Sequence, residues 1–443
     1  MSSRKPRPSP RFRVGKVSVY EHHGAWWIYY RDGTGPHRKK VAPTRDRAEQ
    51  VAARVNSQLA SDEPTLLTFT PIAPAELRRQ FLDYHEHVLH SSVGTLNRYR
   101  SATQHLEDFV AALPKVPSAH ELPVQAFAAY LRRIEVAPNG HANTAKRKLR
   151  SKGVQYVLQT CRAMYNYAVK RRHLPPYAGN PFAELPLDKL KIDDAKPISV
   201  FDADPELAFF RACCDWSFPL HFTLAKTGLR VGELVHLLIE DVDLEGGWLH
   251  VRNKVELGWR IKTGQERVVP LLTEAVGVMR AVIGRRTFGP VFLREKLFLR
   301  RPAVVGDRRE LERVLRERRA AGGRALTRTE ESALAKKLWW DAGAVKPDRL
   351  RLSFVRATTA IGHPESTCPK SWRHTYATLL QDANVDPLIR QQVMGHKPSL
   401  GGGLGMTANY THTRPETRKE QIEAVLRRWP ASLAYALARS GAT

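Results

Sequence analysis

Two proline-rich breaks constrain this chain more than any other feature. One lies at 61–74, with Pro64, Pro71 and Pro74 among polar residues; the other lies at 174–197, with Pro175-Pro176, Asn180-Pro181 and Pro186. Proline fixes its own φ and has no N–H to donate, so neither a helix nor a central strand runs through such a stretch. The 443 residues are thereby cut into three lengths, and these differ in hydrophobic period. In the first, Val17-Ser-Val-Tyr20, Trp26-Trp-Ile-Tyr-Tyr30 and Lys39-Lys-Val41 are separated by Gly24 and Asp32-Gly33, which predicts a three-stranded meander after an Arg/Pro/Ser tail. Thr44 then caps a helix with Ala48, Val51, Ala52, Val55 and Leu59 on one face. The second length has apolar residues at helical spacing over 75–90, 95–113, 123–134 and 143–172, which predicts four helices. The third is mixed: helices, a strand-rich patch from Trp248 to Leu271, then helices again. The expected fold is multidomain and mainly α with small β-sheets. Its parts are a small sheet-plus-helix module over 1–62, a linker over 63–74, a helical domain over 75–174, a linker over 175–197, and an α+β domain over 198–443 with an insertion near 295–350 and a terminal tail helix.

Charge selects the partner. There are 71 lysines and arginines against 44 acidic residues, a net +27, while hydrophobic content is an ordinary 42%. A disordered polycation is excluded, because such chains lack the apolar residues to form a core. Residues 1–60 hold 13 basic and 4 acidic residues. The helical domain adds Lys146, Arg147, Lys148, Arg150 and Lys152, and 300–337 holds 12 basic against 6 acidic residues. Membrane-surface binding concentrates charge on one amphipathic helix; here it is spread along the chain, which favours nucleic acid. No run of 18 apolar residues and no signal-peptide core occurs, and Cys161, Cys213, Cys214 and Cys368 have no paired spacing. The expectation is a soluble, cytoplasmic protein with reduced thiols.

Several familiar motifs fail. His85-Glu-His87-Val-Leu-His90 lacks the histidine that H-E-x-x-H needs at 89. The glycines at 401–405 have no G-K-[ST] ending, which leaves a hinge rather than a phosphate loop. No acidic or C-x-x-C cluster offers metal ligands, so hydrolysis through two metals has no visible basis.

Four patches near the C-terminus carry chemistry instead. In Ala225-Lys-Thr-Gly-Leu-Arg-Val-Gly-Glu-Leu234 a helix ends at Gly228 and Arg230 opens the next, where donors meet an anion favourably. In Trp259-Arg-Ile-Lys-Thr-Gly-Gln-Glu-Arg-Val-Val-Pro-Leu271, two short strands around Thr263-Gly264 place Lys262 at a hairpin tip. In Cys368-Pro-Lys-Ser-Trp-Arg-His-Thr-Tyr-Ala-Thr378, Lys370 and Arg373 share one face of a helix. In Asp386-Pro-Leu-Ile-Arg-Gln-Gln-Val-Met-Gly-His396, Asp386 caps a helix, Gly395 ends it and His396 is fixed just beyond; Asn409-Tyr-Thr-His412 follows.

These strings resemble the tyrosine recombinases, or phage-type integrases: TGLRVGEL, KTGQERVVPL, KSWRHTYAT, MGH and NYTH stand in that family's order from about 197 to 428. The resemblance implies an arm-type DNA-binding module, a core-binding domain and a catalytic domain that cuts and rejoins DNA through a 3′-phosphotyrosyl intermediate and a Holliday junction, without cofactor or metal. It assigns the phosphate clamp to Arg230 and Arg373, the acid to Lys262, a supporting donor to His396 and the nucleophile to Tyr410, with Glu233 and His374 in support. It further implies a homotetramer on two core sites, joined through the terminal helix, with DNA-bending or directionality factors as further partners. The chemistry is consistent: two guanidiniums neutralise charge building on a phosphodiester. A tyrosine with an ordinary pKa of about 10 is activated by fixed positive charge. This sequence departs from the family in two places. Lys370 stands where a histidine is usual and is a poor base while protonated, and the gap between His396 and Tyr410 is longer than usual. The alternatives are a type IB topoisomerase-like or telomere-resolving enzyme, and a non-catalytic DNA-binding protein on the same fold.

Overall fold

The computed structural model describes residues 11–32, 35–61, 65, 69–137, 144–175, 179–192, 198–297, 302–396 and 413–441. They belong to two compact units, 1–196 and 197–443. The segment from Arg11 to Ala42 builds an antiparallel sheet of β1 (Arg11–Val14), β2 (Val17–His22), β3 (Ala25–Asp32) and β4 (Gly35–Ala42), paired in chain order. The sheet has one strand more than the meander expected, because Arg11–Val14 belongs to it and not to the basic tail: Phe12 and Val14 pack inward while Arg11 and Arg13 face solvent. Val17, Val19, Ile28 and Tyr30 are buried beneath α1 (Arg45–Ala60), which contributes Ala48, Ala52 and Val55. On the opposite face the register sets Arg11, Tyr20, Trp27 and Lys40 in one cross-strand row and Arg13, Ser18, Tyr29 and Arg38 in the next. Arg38 lies 5.3 Å from the Tyr20 ring and 5.4 Å from that of Trp27.

The four expected helices are α2 (Pro74–Asp83), α3 (Val93–Ala111), α4 (Val124–Arg133) and α5 (Ser151–Lys170), packed through Phe81, Leu106, Phe127, Leu158 and Met164. Two details differ from the sequence reading. The fourth helix starts at 151 and not 143, since β5 (Glu135–Val136) pairs with β6 (Arg147–Lys148) just before it. Phe182 and Leu187, in the stretch expected to be a linker, are buried in the helical core. Lys146, Arg147, Lys148, Arg150 and Lys152 are exposed around the start of α5.

The second unit surrounds an aromatic core of Phe209, Phe210, Phe222, Trp372 and Tyr376. Its elements are α6 (Ala203–Ala212), α7 (Ser217–Thr227) and α8 (Val231–Val235). A three-stranded sheet follows, of β7 (Val242–Asp243), β8 (Trp248–Val251) and β9 (Arg267–Pro270), and then α9 (Thr273–Ile283). The basic insertion is a helical hairpin, α10 (Arg308–Ala320) and α11 (Arg328–Asp341). After it come α12 (Pro347–Ala360), α13 (Lys370–Asp382), α14 (Pro387–Met394), α15 (Pro415–Leu426) and α16 (Pro430–Ser440). The terminal helix α16, expected to dock on a neighbour, buries Leu433 and Ala436 in the core of its own unit. Its Ser432 hydroxyl accepts from Lys226 at 3.0 Å, and the same buried ammonium pairs with Glu206. Among the described residues no helix is long and apolar enough to cross a membrane.

Candidate active site

The end of α14 gathers the site. Asp386 caps the helix start through the Leu388 amide at 2.7 Å, Pro387 occupies the first helical position, and Gly395 ends the helix in the left-handed region. The last carbonyls of a helix have no partner within it, and they carry the negative end of its dipole. Here three arginines from distant segments take them up. Arg267 of β9 donates Nε to Val393 O at 2.8 Å, Arg373 of α13 donates Nη2 to Met394 O, and Arg230 donates Nη2 to Gly395 O at 3.3 Å.

Glu233 braces two of them. Arg230 is the N-cap of α8, and Glu233, three residues on, accepts its backbone N–H at 2.9 Å and its Nη1 at 2.8 Å. Arg267 reaches the same carboxylate at 2.6 Å. Burial works against ionisation of Glu233, but the hydrogen bonds and charge of Arg267, with those of Arg230, hold its carboxyl below the usual range. The Glu233 side chain is 2% exposed and that of Arg267 is 6%, whereas that of Arg230 is 23% exposed, so Arg230 can meet an incoming anion.

Arg373 is buried. Its Nη1 donates to Gly228 O at 2.6 Å, and its Nη2 lies 3.1 Å from His396 Nε2. Burial, then the nearby Arg230 charge, pulls its pKa down to about 10, so the guanidinium stays charged near neutral pH. A guanidinium only donates, so His396 Nε2 accepts and the ring proton sits on Nδ1. The imidazole is neutral for a second reason: burial, then Arg373, Arg230 and Arg267, hold its pKa below the ordinary value. Gly228, at φ +62, is required here. A Cβ at this position would stand 2.4 Å from the Tyr376 ring, against which the α7 end is pressed.

Lys262 is exposed in a turn from Ile261 to Gly264, closed by the Gly264 N–H to Ile261 O bond at 2.9 Å. The expected hairpin is corrected: its strands are β8 and β9, paired Val251 to Arg267, and the turn sits within the long connection over 252–266. Asn253 explains the difference, since it satisfies the backbone of Ile261 and Gly264 in place of a strand partner. Thr263, beside Lys262, donates to Gly395 O at 3.4 Å, which ties the turn to the arginine cluster. Lys370 begins α13 and is exposed; His374, one turn on, has its pKa lowered by partial burial, then by Lys370 and Arg373. Arg230, Arg373, His396 and Glu233 are thus in direct contact or one residue apart. Lys262 joins them through Thr263, and Lys370 through α13. Tyr410 lies outside the described residues, as do the glycines at 401–405.

Sequence reading missed Arg267 and Tyr376. Arg267 stands inside a motif but looks like one more strand cation, and only its pairing with a buried carboxylate distinguishes it. Beside His396 a cleft of about 420 Å³ is lined by Arg267, Gln391, Gln392 and Arg418.

Residues 219–417 match the phage integrase family model. The curated relatives that the chain resembles are tyrosine recombinases and transposon transposases. Over 194 residues the chain is 28% identical to tyrosine recombinase XerC of Pelobacter propionicus, covering 43% of this chain and 45% of that one. Over 254 residues it is 27% identical to the transposase of transposon Tn916 from Enterococcus faecalis, covering 52% and 51%. The chain thus spans about half the length of these relatives. The Tn1549 transposon integrase, solved with circular intermediate DNA, shares the fold with a TM-score of 0.50 at 16% identity, over 79% of this chain and 99% of that one.

Proposed function

We propose that this protein is a site-specific DNA recombinase that integrates or excises a mobile element by cutting and rejoining strands through Tyr410. The observation that carries this reading is the convergence of Arg230, Arg373 and neutral His396 on the end of α14. Three arginines there face one carboxylate among the described residues, Glu233, and the excess positive charge calls for an anion.

In this reading Arg230 and Arg373 hold the non-bridging oxygens of the scissile phosphate. Arg373 is aimed by Gly228 O and Met394 O and keeps its Nε–H and one Nη1–H for the substrate. His396 offers its Nδ1–H. Glu233 and Arg267 keep Arg230 in place, and His374 supports α13. As the Tyr410 oxygen attacks, charge grows on the phosphate in a site already arranged for it. Lys262 protonates the departing 5′ oxygen, and Lys370 is a further phosphate donor. No ATP takes part, because the phosphotyrosyl bond conserves the energy for rejoining, and the two guanidiniums do at the phosphate what a metal would otherwise do.

The basic outer face of the N-terminal sheet, with its Arg11 and Arg13 rows, suits an arm-type DNA site as the module over 1–62. The exposed cations around β6 and α5 suit the core site as the domain over 75–174. A homotetramer passing through a Holliday junction follows from the family. The solvent side of α16 is then the surface left for a second copy, DNA-bending or directionality factors are further partners, and the protein works at the bacterial nucleoid. The test is strand exchange between two duplexes carrying a site that the full-length protein has selected from random-sequence DNA, in chelator and without ATP. Recombinant products and a four-way intermediate are expected; relaxation of a plasmid lacking that site would favour a topoisomerase instead.

A further inference from the structure

The basic insertion does more than extend into solvent. Helices α10 and α11 close over a small core of Leu311, Leu315, Leu338 and Trp339, and the residue they enclose is Leu257, from the β8–β9 connection. Leu257 is fully buried, and its carbonyl accepts the Trp339 indole N–H at 3.1 Å. The next residue, Gly258, has φ +72, and a Cβ there would stand 2.4 Å from that of Ala335, so α11 lies directly on the loop backbone. Arg308, the first residue of α10, pairs with Glu256 and donates Nη2 to Asn253 O at 3.1 Å. The Asn253 side chain continues the connection to the Lys262 turn. Its Oδ1 accepts the Ile261 N–H at 2.9 Å, and its Nδ2 donates to Gly264 O at 3.0 Å. Both ends of the turn are therefore held by one side chain, whose own backbone is held by the insertion.

We propose that Arg308 and Asn253 are positioning residues for Lys262, and that the insertion sets where its ammonium meets the leaving 5′ oxygen. The inference rests on the recombinase reading above. In the step concerned, the tyrosine oxygen–phosphorus bond forms and the phosphorus–O5′ bond breaks, its electron pair going to O5′. One Lys262 proton passes to that oxygen, and the phenol proton is lost to water. Lysine is a point charge on a flexible stem, so its reach is fixed by the backbone beneath it. A donor misplaced by about 1 Å costs on the order of a hundredfold in rate.

The full-length protein is first used to select its site from random-sequence duplexes. A nicked duplex on that site is then made with either oxygen or sulfur as the bridging 5′ atom of the scissile phosphate. Sulfur departs as a thiolate and needs no acid. Lys262→Ala should be slow on oxygen and near the wild-type rate on sulfur. Arg308→Ala and Asn253→Ala should each lose roughly tenfold to a hundredfold on oxygen, recover on sulfur, and bind the site as wild type does. Trp339→Phe keeps an aromatic ring in the small core and loses the N–H to Leu257 O; it should show the same pattern more weakly, and it guards against a misfolded alanine variant. If Lys262→Ala recovers on sulfur while the Arg308 and Asn253 variants are unaffected, or equally slow on both substrates, the positioning proposal is overturned and the Lys262 role stands. If Lys262→Ala gains nothing from sulfur, the acid assignment fails and the proposal fails with it. If wild type cleaves neither substrate, the recombinase reading itself is at fault.

Discussion

Arg373 joins fold to the proposed chemistry. It closes the ends of α7 and α14 through Gly228 O and Met394 O, which leaves its Nε–H and one Nη1–H uncommitted. Arg373→Lys keeps the charge but not the fork. It should lower cleavage by on the order of a hundredfold or more, measured as adduct formed per unit time, with DNA affinity little changed. Glu233→Ala leaves Arg267 buried without its partner, and removing one member of such a pair costs about 3 kcal/mol; urea unfolding would read this. His396 sets the pH dependence. Its folded pKa lies below the ordinary 6.5, so the neutral ring that accepts from Arg373 persists under mildly acidic conditions. The acid limb of the cleavage profile should therefore fall below 6.5, and a limb above that value would contradict the lowered pKa of His396.

At the scale of elements, what could be read from sequence was whatever local rules control. Asp386, Pro387 and Gly395 bound α14 as their residue types dictate, and the alternation of Val17, Val19, Ile28 and Tyr30 marked the sheet. What could not be read depends on partners far along the chain. The Lys262 turn is shaped by Asn253 and the insertion rather than by strand pairing, and Arg267 matters because Glu233, 34 positions away, is buried beside it. The first strand was hidden because arginines at 11 and 13 resemble a tail. Close packing at the α7 end predicts that Gly228→Ala, at φ +62 and against Tyr376, destabilises by more than about 1 kcal/mol, visible as a lower thermal midpoint. Two histidines add a pH term. His221 of α7 is buried and His236 after α8 half-buried, and desolvation lowers them to about 3 and about 4. Below the unfolded value of 6.5 the unfolded chain takes up protons that the folded one refuses, so stability is full above 6.5 and is lost as pH falls toward 4. A thermal midpoint that did not fall on acidification over that window would contradict this.

For the whole molecule, the net +27 divides by task. Under the proposed function the sheet face and the exposed cations near α5 supply affinity, while Arg230, Lys262, Lys370 and Arg373 supply chemistry. Each phosphate neutralised contributes about 0.9 to the slope of log affinity against log salt. Removing residues 1–62 should therefore flatten that slope yet preserve cleavage at a core site, as filter binding and gel analysis would show. The central claim of the proposed function is covalent catalysis by Tyr410 on a phosphate held by this arginine cluster. Its most direct test is a nicked duplex on the selected site, incubated with full-length protein and resolved under denaturing conditions. The account predicts a 3′-linked protein–DNA adduct that forms in chelator and is absent in Tyr410→Phe; an adduct that persists in that variant would contradict it.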